Sequence, residues 1–115
     1  MKYFIGLDIG TSSVKAMLIS ETGIIRTAGR EYPVYYPENG RSEQSPEDWY
    51  DNSVSAIKEL LEGVDASEVR ALSFSGQMHG LVTLDENDGR ADAFISSPKA
   101  SYSLCTMYFV FGVCF

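Results

Sequence analysis

The sequence predicts an α/β fold in which a three-stranded antiparallel meander is followed by a crossover helix and a parallel strand. Three observations carry that expectation. Tyr3, Ile5 and Leu7 alternate with Phe4, Gly6 and Asp8, the two-residue period of a half-buried strand. Two clusters of turn-forming residues, Gly10-Thr11-Ser12 and Ser20-Glu21-Thr22-Gly23, divide the opening of the chain into three such runs. Between Ser45 and Gly63 the apolar spacing becomes helical, and alternation returns at Val69.

In the first strand the alternation brings Asp8 to the C-terminal end, where Gly10-Thr11-Ser12 forms a tight corner with exposed N–H groups and hydroxyls. Lys15 places a cation on the returning strand, Val14 to Ile19. A carboxylate, bare amides and an ammonium suit a magnesium–nucleoside triphosphate: oxygen for the hard cation, donors and positive charge for the phosphates. An ordinary β-hairpin accounts for the same residues, because turns favour Gly, Thr and Ser. The next turn should use Gly23 at positive φ before a third strand, Ile24 to Tyr32. Pro33 to Gly40 holds two prolines and an Asn-Gly pair and reads as a loop at the sheet edge, its Tyr35 and Tyr36 packing on the sheet.

The helix has the clearest boundaries. Ser45 is the N-cap, Pro46 takes the first helical position, Glu47 and Asp48 load the first turn, and Gly63 closes the end as C′. Tyr50, Val54, Ile57 and Leu61 share a face, with Trp49, Ala56 and Leu60 alongside, so the Trp49-Tyr50 pair is expected in the core. A crossover connection then makes Val69 to Ser75 parallel to a meander strand. Small, polar Ser73 and Ser75 leave room for something to approach the end of that strand. Beyond it lies Gly76-Gln77-Met78-His79-Gly80, with the only histidine of the chain, and then an apolar strand from Leu81 to Leu84. Ligands of open α/β sheets bind at carboxyl ends of strands, so Gln77 and His79 are candidates to bond hydroxyls and Met78 to cover an apolar face. A loop with two backbone-setting glycines and a solvated His79 is the alternative.

Composition narrows the function. A chain of 115 residues with 44% hydrophobic and 22% charged residues fits one soluble globular domain. Its formal charge of -7 excludes a general nucleic-acid binder and requires any phosphate site to be arranged locally. No secretory signal opens the chain, and Cys105 and Cys114 form neither a metal quartet nor a disulfide framework, so a cytoplasmic setting is expected. The apolar run Leu104 to Phe115 is shorter than the ~20 residues of a membrane span and reads as a sticky strand or tail.

Three stretches together, Phe4 to Lys15, Ser42 to Tyr50 and Leu72 to Gly80, resemble the N-terminal portion of the xylulokinases within the FGGY carbohydrate kinases. The likeness covers about residues 2–89; Asp-x-Gly-Thr is shared by many sugar kinases, whereas Gly76-Gln77-Met78-His79-Gly80 is narrower. It implies a ribonuclease-H-like, actin-like ATPase half-domain, with ATP and Mg2+ as cofactors and D-xylulose as the sugar phosphorylated. It further implies Asp8 beside the metal, Gly10, Thr11 and Ser12 as the first phosphate loop, and Lys15 near the phosphates. Met78 and His79 would line the pentulose pocket with Gln77 in support, while Glu43 and Gln44 match a signature ahead of the helix with a structural role.

Residues 90–115 do not follow the family pattern, so the chain is expected to divide into residues 1–89, kinase-like, and residues 90–115, a divergent apolar tail. The abrupt change is what a truncated or frameshifted reading frame would leave. The family's catalytic aspartate, adenosine-binding motifs and second domain have no counterpart here, so little or no kinase activity is expected from the chain alone. Two other readings stand beside this one: a non-catalytic nucleotide- or sugar-binding module, and an inert gene remnant. An open sheet edge or the apolar tail would promote self-association.

Overall fold

The structure is a computed structural model, and it describes residues 1–37, 40, 42–76, 81–84, 90–96 and 106–108, the last three stretches through their backbone pairing. Strands β1 (Tyr3–Ile9), β2 (Ser13–Ser20) and β3 (Gly23–Glu31) form the antiparallel meander. Strand β4 (Ser42–Glu43), helix α1 (Pro46–Leu60), a 3-10 turn (Ala66–Glu68) and β5 (Val69–Gly76) follow. The expected parallel pairing is that of β5 with β1, giving a sheet of order β3-β2-β1-β5. A second sheet, β4-β7-β6-β8, is built from β4, β6 (Leu81–Leu84), β7 (Arg90–Ser96) and β8 (Thr106–Tyr108).

Alternation sorts the first sheet into two faces. Ile5 and Leu7 of β1 pair with Leu18 and Ala16 of β2, all four buried, and Val14 joins them fully enclosed. Helix α1 lies on this face, where Ala56 and Leu60 complete the core. The other face carries Asp8 opposite Lys15 and Gly6 opposite Met17. A Cβ on Gly6 would stand 3.3 Å from Met17 Cγ, a tight contact with that side chain.

Two arginines on β3 hold the helix down. Arg26 Nη1 donates to the carbonyls of Glu59, Leu60 and Glu62, satisfying the acceptors left open at a helix C-terminus. Arg30 pairs with Glu59 at 2.6 Å and donates from Nε to Ser55 Oγ. Gly23 adopts the expected positive φ of 120° in the β2–β3 turn.

The helix begins where the sequence places it, at Pro46 after Ser45, but three details differ. The Ser45 hydroxyl donates to the Glu47 carboxylate at 2.6 Å rather than accepting from a backbone N–H. The C-cap is Leu61, so Gly63 stands two residues past it, with φ 73°. The buried stripe is Ser53, Ala56 and Leu60 with Trp49 packed alongside, and Tyr50 is 71% exposed. The helix is therefore rotated about one position from the expected face: α1 leans over β2 and β3, which turns Tyr50 away from the core. Tyr35 and Tyr36 are also exposed instead of lying on the sheet, because two backbone hydrogen bonds of 2.7 Å tie Tyr35 to Glu43. With α1 displaced from β5, an apolar groove of about 370 Å³ opens between them, lined by Leu7, Ile9, Trp49, Tyr50, Leu72 and Phe74.

Candidate functional site

The β1–β2 corner is built from behind. Gly10 N–H donates to Ser13 O at 2.9 Å and closes the turn; a Cβ on Gly10 would lie 3.1 Å from that oxygen. The Tyr32 backbone N–H donates to Ser12 O at 3.1 Å, and the Tyr32 hydroxyl sits between the carbonyls of Ser13, at 3.0 Å, and Gly10. Gln44 Nε2 donates to Thr11 O. All four carbonyls from Gly10 to Ser13 thus have donors from the protein itself. Among the described residues, the N–H groups of Thr11 and Ser12 have no acceptor, and both residues are exposed.

The consequence is a corner with a definite polarity. Its acceptors are occupied on the protein side, and its free groups are two amide donors and two hydroxyls. Such a surface favours an anion with several oxygens. Lys15 adds positive charge on the open face, directly across the hairpin from Asp8. Both side chains are exposed, and among the described residues no ion pair closes between them.

Tyr32 is well suited to hold the corner. The residue is only 5% exposed, and burial, with the Asp8 carboxylate adding to it, pushes its hydroxyl up to about 12. It therefore remains a donor throughout the neutral range. Gln44 is just as enclosed, at 3% exposed, and its Oε1 accepts from Trp49 Nε1 at 3.1 Å. Neither Tyr32 nor Gln44 was marked by the sequence as a support of the corner. Residue type alone carries no signal for this role, because the contacts span 22 and 33 residues of chain.

The parallel register joins the corner to the second candidate stretch. Asp8 pairs with Ser75 and Ile9 with Gly76, so β5 ends at the same edge as the corner, one strand away. Ser73 and Ser75 share the open face with Asp8. Gln77, Met78 and His79 lie outside the described residues. Among the described residues, Asp8 belongs to no group of three or more potential metal-ligating side chains. That fits a magnesium ion held mainly by phosphate oxygens and water. No helix among them is long and apolar enough to cross a membrane.

Known proteins resemble this chain in sequence and in overall fold. The model of the FGGY family of carbohydrate kinases, N-terminal domain, matches residues 3–106. A xylulose kinase of Bacillus subtilis is 43% identical over 90 residues, covering 76% of this chain and 18% of its own length. A gluconokinase of the same organism is 34% identical over 87 residues, covering 75% of this chain and 17% of its own length. The solved structure of a ligand-bound xylulose kinase from Lactobacillus acidophilus superposes with a TM-score of 0.76 at 28% identity, over 82% of this chain and 19% of that one. The chain thus spans about a fifth of the length of the relatives it matches. The meander, crossover helix and parallel strand are the opening half of the actin-like, ribonuclease-H-like domain those kinases share. This chain belongs to the FGGY family of carbohydrate kinases and corresponds to their N-terminal portion.

Proposed function

We propose that the β1–β2 corner is the phosphate-holding half of a MgATP site in an ATP-dependent pentulose kinase, with D-xylulose as the sugar. The observation that carries this reading is the donor-only polarity of the corner: every carbonyl from Gly10 to Ser13 is engaged, and the free N–H groups belong to Thr11 and Ser12. Satisfying the inward carbonyls from the protein side leaves only donors on the outward side of the corner, which is what a phosphate group would meet.

When bound, magnesium triphosphate supplies a transferable phosphoryl group. The chain's own residues position and neutralise it, which is most of what phosphoryl transfer asks of a protein. Thr11 and Ser12 would orient phosphate oxygens, Lys15 would offset their charge, and Asp8 would hold the metal. Met78 and His79 would line the sugar pocket, with Gln77 in support. The chain leaves β5 at Gly76, the partner of Ile9, which supports a sugar loop close to the corner.

On its own, this stretch should bind without turning over. The family resemblance puts the catalytic aspartate and the adenosine motifs in parts of the kinase that these 115 residues do not include. A phosphate corner without its facing domain lacks half its donors and its exclusion of water. A coupled ATP-consumption assay with D-xylulose on the isolated chain tests this. The expected result is no turnover together with a MgATP-dependent rise in melting temperature that Asp8→Ala abolishes. Turnover at ordinary kinase rates would contradict the inactivity, and absence of any MgATP-dependent stabilisation would contradict the site.

A further inference from the structure

We propose that Gln44 is a positioning residue that fixes the direction of the Thr11–Ser12 peptide, and that Trp49 sets which end of the Gln44 amide does so. The proposal rests on the reading of the corner as a phosphate site.

A glutamine amide is two-faced, and its two ends can exchange by a half-turn about the last side-chain bond. Trp49 removes that freedom. An indole N–H can only donate, and it lies 3.1 Å from Gln44 Oε1. The amide nitrogen is thereby committed to the other side, where it meets the carbonyl of Thr11, with Pro33 O a longer acceptor at 3.4 Å. A carbonyl held on one side of a peptide plane sends the following N–H, that of Ser12, to the opposite side. Trp49 lies in the first turn of α1 and packs against the core. The seating of the helix therefore determines, through one side chain, whether the corner shows a donor or an acceptor to an anion. The unbroken order is Trp49 N–H to Gln44 Oε1, then Gln44 Nε2 to Thr11 O.

The chemistry separates substitutions that look alike. Gln44→Glu keeps the size and the Trp49 contact but faces Thr11 O with an acceptor, so the peptide should turn. Gln44→Met keeps the volume and offers no donor. Trp49→Phe leaves Gln44 in place and removes the donor that holds its Oε1, so the amide is oriented only by the carbonyls of Thr11 and Pro33. Trp49 is also the only tryptophan in the chain, so its emission reports on this contact without competition.

The test compares the full 115-residue chain with these three variants by NMR and by titration with magnesium tripolyphosphate. In ligand-free protein, the Thr11 carbonyl carbon and Ser12 amide resonances should move in all three, with the ladder resonances of β1 and β2 unchanged. Affinity for tripolyphosphate should fall about tenfold in Gln44→Glu, the loss expected for one misdirected donor to a charged group. Trp49 emission should shift on binding in the wild type. Unmoved Thr11 and Ser12 resonances, or unchanged affinity in variants whose resonances do move, would overturn the proposal. Should the wild type fail to bind tripolyphosphate while the Thr11 and Ser12 resonances still respond, the phosphate reading falls and the orienting role of Gln44 stands. Were Gln44→Glu not to fold, Gln44→Met and Trp49→Phe give the same decision.

Discussion

Asp8 and Ser75 are register partners in the parallel pairing of β1 and β5, on the face of the sheet that α1 does not cover. That relationship sets where β5 ends relative to the β1–β2 corner. A parallel strand one place further along would have moved the end of β5 away from the β1–β2 corner. Instead Ile9 faces Gly76, and the corner and the end of β5 share one sheet edge.

Asp8 should be dispensable for folding and needed for metal-dependent binding. It is exposed and has no ion-pair partner among the described residues. Asp8→Asn should change the ligand-free unfolding free energy by no more than about 0.5 kcal/mol, the range of surface substitutions. Polyphosphate binding should lose its dependence on magnesium, measured by titration with and without the cation.

Tyr32→Phe removes the donor shared by Gly10 O and Ser13 O and leaves a carbonyl without its partner. A loss of about 1–2 kcal/mol is expected by denaturant unfolding. The pH dependence has a definite sign. The hydroxyl is raised to about 12 in the fold, against about 10 in the unfolded chain, so the folded state holds its proton more tightly. The contribution is complete below about 10 and disappears as the pH climbs toward 12. Tyr32→Phe should flatten that alkaline decline.

Gly10→Ala should strain the corner itself. The added methyl would meet Ser13 O at 3.1 Å, a backbone atom that is also the acceptor closing the turn. A cost of about 1–2 kcal/mol and weaker polyphosphate binding are expected, read by thermal melts and titration.

Arg26 should matter more to stability than Arg30, although only Arg30 forms an ion pair. Arg26 meets three carbonyls at the end of α1, at 2.9 to 3.2 Å. Arg26→Ala should cost about 2 kcal/mol, whereas breaking the half-exposed Arg30–Glu59 pair with Glu59→Gln should cost under about 1 kcal/mol. Urea unfolding of the two variants checks the order.

The elements legible in the sequence were those set by local rules. Alternation gave β1 and its buried Ile5 and Leu7, the Ser45-Pro46 pair gave the start of α1, and Gly23 gave the hairpin turn. The rotation of α1 was not legible. Tyr50, Val54 and Ile57 make as good an apolar stripe as Trp49, Ser53 and Ala56, and docking over β2 and β3 decided between them. Asp8 and the corner could be marked by residue type alone. Tyr32 and Gln44 could not, since their role depends on contacts spanning 22 and 33 residues of chain.

The most direct test of the account is an amide-resolved titration of the chain with MgATP. The account predicts that the Thr11 and Ser12 resonances move most, in a saturable way, with Lys15 following and the groove residues Leu72 and Phe74 still. Saturable binding that leaves Thr11 and Ser12 untouched, or no response to MgATP at all, would contradict it.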